Sequence, residues 1–597
     1  MSQIDAEMAQ RIGGKETALR DWVRALEATA SIGRNPQRLL LDVVVEQART
    51  RGEAPALISA RETLSYRALC ERANRYARWA LGQRIAKGEA VCLLMPNRPE
   101  YIAIWLGITG VGGIVSLLNT QLRGPSLAHC IDIVAPKHVI VASELREAFQ
   151  SAEAHLTSRP KVWWHGAGDD GRIDLDVEQN SPEPLQQDLR RGVTTANRAL
   201  YIYTSGTTGL PKAANITHRR VMQWSLWFAG LMDTGPDDRM YNCLPMYHSI
   251  GGVVATGALL ARGGSVFISE KFSARDFWSD VHDWDCTLFQ YIGELCRYLV
   301  NAPEDTLEVA HRLRLCCGNG LRADVWERFQ ARFRIPRILE FYAATEGNVS
   351  LYNVEGKVGA IGRVPSFLSH RWPLALVKFD PAAQAPARNE NGRCVRCATG
   401  EAGEAIGRID GSAQFDGYTD DDATQRKILR DVFETGDAWF RTGDFMRMDA
   451  GGFLYFVDRI GDTFRWKGEN VSTSEVAEAI MAFPGITEAT VYGVGIPGTE
   501  GAAGMAAVVV EGTLDLAAFR KHLVSRLAPY ARPLFLRISD RVKVTATFKH
   551  TKLDLIREAF DPTASGDAIF FDDASRQTYV KLDAALYERI RTGHARL

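Results

Sequence analysis

Apolar positions in this chain fall first at helical spacing and then in short runs set between helices. Near the start, Leu19, Trp22, Val23 and Leu26 stand at i, i+3, i+4 and i+7, with Arg20, Asp21, Arg24 and Glu27 on the other side. That pattern predicts an amphipathic helix that packs on the protein or rests on a membrane surface, and the mixed charge of its polar face favours packing. After Asn35-Pro36 a second helix is expected over 39–47. The chain then alternates. Residues 56–59 read as a strand, Ser65 can cap a helix running to about 81, and 90–95, 113–118 and 138–142 read as buried strands. Strands separated by helices predict α/β layers with mainly parallel sheets. Residues 101–118 are uncharged for 18 positions and could suggest a membrane span, but they hold Gly107, Gly110, Gly112 and Gly113 and end at Asn119. A buried helix followed by a buried strand accounts for them better. Residues 150–196 are more polar and read as a variable excursion before the next strand.

That strand ends in Tyr201-Ile-Tyr-Thr-Ser-Gly-Thr-Thr-Gly-Leu-Pro-Lys212. Glycine lets backbone N–H groups approach an anion, hydroxyls donate to its oxygens, and lysine adds a point charge. An ordinary polar turn uses the same residue types, but the density of donors with a lysine at the exit favours a phosphate loop. It is not the GxxxxGK[ST] pattern, because Pro211 stands where that pattern needs glycine and Ala213 where it needs Ser or Thr. Downstream, a helix over 219–231 carries Met222, Trp224, Trp227 and Phe228, and 241–248 runs from strand into loop before Gly251-Gly252. Residues 314–317 form a strand expected to break at Gly318-Asn-Gly320, and 337–341 a strand ending in Tyr342-Ala-Ala-Thr-Glu346-Gly347. Functional residues of open α/β sheets gather at the carboxyl ends of strands, and three such ends here are rich in glycine and polar groups.

The last quarter changes texture. Residues 453–457 alternate into Asp458-Arg-Ile-Gly-Asp462, a polar turn suited to a hinge, and the domain boundary is placed at 459–462. Ser472 with Glu475 reads as a helix cap, Asp515 as the cap of a helix over 516–527, and 489–494, 506–510 and 535–538 as strands. The result is a compact α+β unit.

The length of 597 residues exceeds what one core usually holds. With 46% apolar and 24% charged residues, a net charge of −1 and a pI near 6.9, no nucleic-acid partner is expected. The ten cysteines are scattered, which suits reduced thiols in a cytoplasmic protein. Cys394-Val-Arg-Cys397 lacks the second pair that zinc would need. No basic region leads into an apolar run at the N-terminus, so no signal peptide is expected.

Taken together, these motifs resemble the adenylate-forming (AMP-binding) superfamily. The closest likeness is to its fatty acid transport protein and very-long-chain acyl-CoA synthetase family. The likeness runs from about residue 40 and is carried by 201–214, Cys317-Gly-Asn-Gly-Leu321, 341–348, 439–444, 456–474 and Thr545-Ala-Thr-Phe-Lys549-His. The resemblance implies an N-terminal helical extension (1–45) and a large domain (46–459) of α/β subdomains with mainly parallel sheets and a small β-barrel-like part. A small mobile α+β C-terminal domain (460–597) would follow. The implied chemistry is a two-step ligation: a fatty carboxylate attacks ATP to give an acyl-adenylate and pyrophosphate, and the thiol of CoA then displaces AMP. Attack by an anion on a polyanion needs charge neutralisation and alignment.

By the same resemblance, Thr204, Ser205, Gly206, Thr207, Thr208, Gly209 and Lys212 would hold the β- and γ-phosphates. Glu346 would bind Mg²⁺, with Thr345 at the α-phosphate. Gly318, Asn319, Gly320 and Tyr342 would form the adenine slot, while Asp444 and Arg459 would hold the ribose. Lys549 would reach the reacting groups. The small domain would pivot at Asp458 and Gly461 and bring Arg465, Lys467, Gly468 and Glu469 to a thiol tunnel, and His248 would lie near the acyl pocket. The residues alone leave other uses open: a helix N-cap for Thr345-Glu346, an Asx-turn for Asp444, an inert surface lysine for Lys549 and a packing role for His248. Ala343 stands where the family usually has glycine. The tail beyond Lys549, with strand-like 568–571 and 579–582, fits the transport-protein branch.

Two further readings accompany the fatty acyl-CoA ligase: an acyl-adenylate ligase that loads a carrier protein, and a fatty acid importer or trap with secondary ligase activity. Peripheral association with the inner face of a membrane and a homodimer are the further partner expectations. A steroid-type carboxylate would also suit the chemistry.

Overall fold

The computed structural model describes residues 15–167, 171–204, 210–380, 383, 385–410, 414–460, 462–466, 469–497, 499, 501–540, 552–592 and 594. The chain divides into two compact units, one of residues 1–374 with 407–440 and the other of residues 375–406 with 441–597.

Two sheets organise the first unit among the described residues. In the larger, the order is Ser350–Asn353, Ile338–Ala343, Leu315–Asn319, Leu288–Ile292, Arg239–Asn242, Ser265–Ile268, Pro55–Ile58, Thr63–Ser65. Its inner pairs are parallel and only the two edge pairs antiparallel. In the other, Lys161–His165, His138–Ala142, Ala90–Leu94, Ile114–Leu117 and Arg198–Thr204 run parallel, and Lys212–Thr217 closes an antiparallel hairpin. The mainly parallel α/β expectation therefore holds. Strand Lys161–His165 corrects the reading of 150–196 as an excursion: its Trp163 is buried against Trp79, which gives this polar stretch a sheet edge.

The uncharged stretch resolves into helix Pro99–Gly110, in which every residue is buried, followed by strand Ile114–Leu117. A helix apolar on all sides belongs in a core. Gly107 lets it approach helix Tyr66–Gly82, since a Cβ there would lie 2.3 Å from the Ala73 carbonyl oxygen. Among the described residues no helix is long and apolar enough to cross a membrane.

Helix Lys15–Thr29 packs on helix His218–Met232, but its buried face is rotated from the one expected. Ala18, Trp22 and Ala25 face inward, while Leu19 and Val23 are 50% and 40% exposed. Small residues decide this, because a Cβ on Gly230 would meet the Ala25 Cα at 2.4 Å. Asp21, also buried, pairs with Arg24 and Arg337.

In the second unit, Ile486–Val494, Ala503–Val510, Phe535–Ile538, Ala568–Asp573 and Thr578–Lys581 form a sheet in that order, with one parallel pair at 503–510 and 535–538. Helices capped by Ser472 and Asp515 pack on it as expected. The strands read in the tail at 568–571 and 579–582 complete its edge.

Candidate functional site

Thr204 and Lys212 sit opposite each other in the hairpin register, so the phosphate-loop segment starts and ends at paired positions. Ser205, Gly206, Thr207, Thr208 and Gly209 lie outside the described residues. Segment 416–419 runs alongside the second strand of the hairpin. The Asn215 N–H donates to the Gly417 carbonyl at 3.0 Å, and the Thr419 N–H to the Ala213 carbonyl at 3.0 Å. This pairing sets the Tyr418 ring beside Lys212, whose Nζ is 6.0 Å from the ring centroid. His129 Nε2 bonds to the Pro211 carbonyl oxygen at 3.0 Å and holds the end of the segment.

Thr345 and Glu346 follow directly on strand Ile338–Ala343, and no helix begins there, which removes the N-cap use of the pair. The Tyr418 hydroxyl donates to Glu346 Oε1 at 2.7 Å. Burial pushes the Tyr418 phenol pKa up, the adjacent Glu346 carboxylate adds to this, and the Thr204 hydroxyl opposes it. Thr345 Oγ1 lies 3.3 Å from Ser249 Oγ. Beneath the turn, Arg220 Nη1 donates to the carbonyls of Thr345 at 3.0 Å and Gly347 at 2.7 Å. Gly347 admits no side chain, because a Cβ would come within 2.4 Å of the Phe440 ring.

Strand Leu315–Asn319 runs two residues further than expected, through Gly318 and Asn319, and breaks only at Gly320, whose φ of +77° favours glycine. Gly318 serves close strand packing, since a Cβ there would lie 2.2 Å from the Tyr291 carbonyl oxygen. Glu340, fully buried in the next strand, accepts from the Leu321 N–H at 3.1 Å and from the Tyr291 hydroxyl at 2.5 Å. Burial pushes its carboxyl up to about 8, although the hydrogen bonds from Tyr291, Leu321 and Gly320 pull the other way. Tyr342 is the next-to-last residue of that strand, paired with Leu351.

His248 is half-buried with its ring 4.6 Å from that of Tyr247. It precedes a π-helical turn, Ile250–Val254, where a Cβ on Gly252 would meet the Met246 carbonyl oxygen at 2.0 Å. π-helical turns occur frequently at functional sites, and this one presents Ser249 to Thr345.

In the second unit, Asp444 is buried within strand Ala438–Met448, so it is no Asx-turn residue, and it pairs in register with Arg459. The Arg459 Nε stands 3.4 Å from Asp444 Oδ1. Asp458 and Arg459 belong to strand Leu454–Arg459, not to the polar turn expected there. The reason is local: Asp458 is buried and accepts from the Thr473 N–H at 2.6 Å and its hydroxyl at 3.0 Å, at the start of helix Thr473–Met481. Lys552 Nζ donates to the Thr473 hydroxyl at 3.1 Å and stands 3.3 Å from Asp462. Arg465 and Glu469 lie in a hairpin, Phe464–Trp466 against Glu469–Val471. Gly461, Lys467, Gly468 and Lys549, and the side chains of Arg465 and Glu469, lie outside the described residues.

Of the site residues, the first unit thus joins Thr204, Lys212, Thr345 and Glu346, and the second joins Asp444 and Arg459. Arg220, Ser249, Glu340 and Tyr418 were not anticipated. The one signal for Tyr418 was its place in Asp416-Gly-Tyr418 ahead of an acidic run; Arg220 had none beyond its position at a helix start.

The AMP-binding enzyme family model matches residues 44–404, and the AMP-binding enzyme C-terminal domain model matches residues 475–549. The chain is 40% identical over 569 residues to long-chain fatty acid transport protein 6 of Mus musculus, covering 94% of this chain and 91% of that protein. It is 42% identical over 519 residues to long-chain fatty acid transport protein 1 of Homo sapiens, covering 85% and 80%. In structure it resembles ATP-bound MatB from Rhodopseudomonas palustris, with a TM-score of 0.73 and 24% identity over 87% of this chain and 98% of that one. A Mycobacterium tuberculosis fatty acyl CoA synthetase gives a TM-score of 0.62 and 22% identity over 87% and 98%. These two likenesses concern the fold.

Proposed function

Because the chain belongs to the AMP-binding enzymes, and among them to the long-chain fatty acid transport proteins, we propose that it joins long-chain or very-long-chain fatty acids to CoA through an acyl-adenylate. The observation that carries the reading is that Tyr418 joins Glu346 to the Thr204–Lys212 ends of the phosphate-loop segment, with Thr345 next to Glu346 in the chain. A carboxylate and a lysine at that place suit a reaction in which an anion attacks a triphosphate.

Glu346 fits Mg²⁺, which commonly takes one or two protein carboxylates and completes its shell with water and substrate phosphates. Among the described residues no group of three or more His, Cys, Asp or Glu could cage a metal. When bound, the ion would neutralise phosphate charge. Lys212 and the hydroxyls from Thr204 onward would grip the β- and γ-phosphates, Thr345 the α-phosphate, and Gly318, Asn319, Gly320 and Tyr342 the adenine. Asp444 and Arg459 would hold the ribose and Lys549 the reacting oxygens. His248 would line the acyl pocket, and Arg465, Lys467, Gly468 and Glu469 the thiol path. A small domain of 460–597 turning at Asp458 and Gly461 would exchange the two half-reactions.

The test is a panel of carboxylates scored by pyrophosphate release with ATP and Mg²⁺, followed by AMP release with CoA or with a phosphopantetheinylated carrier protein. Long and very long fatty acids are expected to be activated and passed to CoA. If none is activated, the fatty acyl reading fails; if only the carrier accepts, the CoA step fails.

The names of the relatives favour a second element, uptake by trapping, in which ligation keeps the imported acid as its thioester. Lys549→Ala should then lower cellular uptake together with ligase activity while membrane recovery of the protein is unchanged. Uptake that survives loss of ligation would count against coupling. The ten cysteines, nine of them buried, suit reduced thiols in a cytoplasmic setting, and peripheral membrane association and a homodimer remain part of this reading.

A further inference from the structure

Arg220 has an unusual seat for a guanidinium. Its side chain is 11% exposed, and the nearest carboxylate oxygen, Asp416 Oδ2, is 3.6 Å from Nε, beyond hydrogen-bond length. Its two short contacts go instead to the backbone carbonyls of Thr345 and Gly347, with a longer one, 3.5 Å, from Nη2 to the Gln414 carbonyl. The Thr345 carbonyl belongs to the peptide that enters Glu346 and the Gly347 carbonyl to the peptide that leaves Gly347, so one cation pins the backbone before and after the Glu346-Gly347 pair. Charged donors make the stronger hydrogen bonds, and a buried one tolerates little displacement of its acceptors.

The seat is rigid. Thr217 caps helix His218–Met232 by accepting from the Arg220 N–H at 3.3 Å, and the Trp224 ring lies 5.7 Å from the guanidinium one turn on. Strand Lys212–Thr217 leads straight into this helix, so Arg220 ties the Thr345–Gly347 turn to the stretch that begins at Lys212. The remaining freedom of Glu346 is rotation of its side chain, and the Tyr418 hydroxyl at 2.7 Å limits that. Asp416 and Tyr418 lie two residues apart, on the segment paired with the same strand. Burial pulls the Arg220 pKa down, and Asp416 and Glu346 oppose this. Burying a guanidinium with its carboxylate partner no nearer than 3.6 Å costs stability. Such a conflict with local stability is expected where a site must be held in shape.

We propose that Arg220 is a positioning residue for adenylation: it pins the backbone before and after the Glu346-Gly347 pair, while Tyr418 sets the rotation of the Glu346 carboxylate. The inference rests on the ligase reading for its reaction, but not for its first readout, which needs no fatty acid. Binding of ATP is measured by calorimetry with and without Mg²⁺ for the wild-type protein, Arg220→Ala, Arg220→Lys and Tyr418→Phe, and kcat and KM for pyrophosphate release are then determined.

Arg220→Ala is expected to keep metal-free ATP affinity within about threefold, to lose most of the gain that Mg²⁺ gives, and to drop kcat about 100-fold with little change in the fatty acid KM. Added guanidinium should recover part of that rate. Arg220→Lys should retain part of the activity, and Tyr418→Phe should lose about 10-fold in kcat. The proposal is overturned if Arg220→Ala keeps its Mg²⁺ gain and kcat within about threefold of wild type, or if metal-free and Mg²⁺-dependent binding weaken equally, as a merely structural role would give. Should Arg220→Ala not fold, unchanged metal gain and kcat in both Arg220→Lys and Tyr418→Phe overturn it. A wild-type protein that binds Mg²⁺ with ATP yet activates no fatty acid refutes the ligase reading and leaves the binding comparison decisive for Arg220.

Discussion

Glu340 is a fully buried carboxyl group that accepts hydrogen bonds from the Leu321 N–H and the Tyr291 hydroxyl. Its pKa is pushed up to about 8 in the folded protein by burial, against about 4.3 for a free glutamate. A raised carboxyl contributes stability fully below the unfolded value, and that contribution is lost as pH rises from about 4.3 to about 8. The span corresponds to roughly 5 kcal/mol at about 1.4 kcal/mol per pKa unit. Glu340→Gln stays neutral at every pH and keeps an oxygen for the Leu321 N–H. Thermal melts at pH 5, 6.5 and 8 should therefore show the wild type losing more stability with rising pH than the variant. Parallel slopes would remove Glu340 as the cause. At this scale the sequence was informative where chemistry sits in one contiguous run: Lys212, Thr345 and Glu346 lie at strand ends, and Asp444 meets Arg459. It was silent on Arg220 and Tyr418, whose partners stand 125 and 72 positions away and are brought close only by sheet and segment pairing.

Among the elements, strands and helices with clean period or caps were legible, as at Ser65, Ser472 and Asp515. Errors arose where tertiary packing overruled local pattern. Asp458-Arg459 has the composition of a turn, yet a buried acceptor for the start of helix Thr473–Met481 draws it into a strand. That bond also bears on the proposed pivot: Asp458 must travel with Thr473 or release it, so the turning point belongs on one side of Asp458 or requires that bond to break. Helix Lys15–Thr29 turned its alanines inward because the neighbouring helix offers a glycine, and spacing of large residues cannot register that. The same close approach makes Gly107 a test of packing. Gly107→Ala puts a methyl 2.3 Å from a backbone oxygen, which should cost about 1–3 kcal/mol. A lower melting temperature with the kcat of the folded fraction retained is expected; an unchanged melting temperature would show that the two helices can part freely.

The molecule as a whole is divided differently from a simple N-terminal body and C-terminal appendage. The second unit takes residues 375–406 as well as 441–597, and the chain passes between units three times. Sequence texture changes near 453–462, after the second unit has already resumed at 441, and it does not show the earlier detour, because strand Ala402–Arg408 interleaves Gly403, Glu404 and Gly407 with its apolar residues and carries no clear period. A chain ended after Phe440 is therefore expected to leave 375–406 without its companions. Trypsin is expected to cut it faster around Arg388, Arg393 and Arg396 than it cuts the full chain. Equal cleavage of both chains would show that 375–406 holds itself together.

The detour also sets a timetable. On the ribosome, 375–406 leaves the exit tunnel before the closing piece of the first unit, 407–440, and well before its own companions from 441 onward. Domains tend to fold as they are made, N-terminal first, yet here the first unit must close across a segment that is still waiting. Synthesis slowed near residue 440 would lengthen the interval in which those 32 residues wait for their companions.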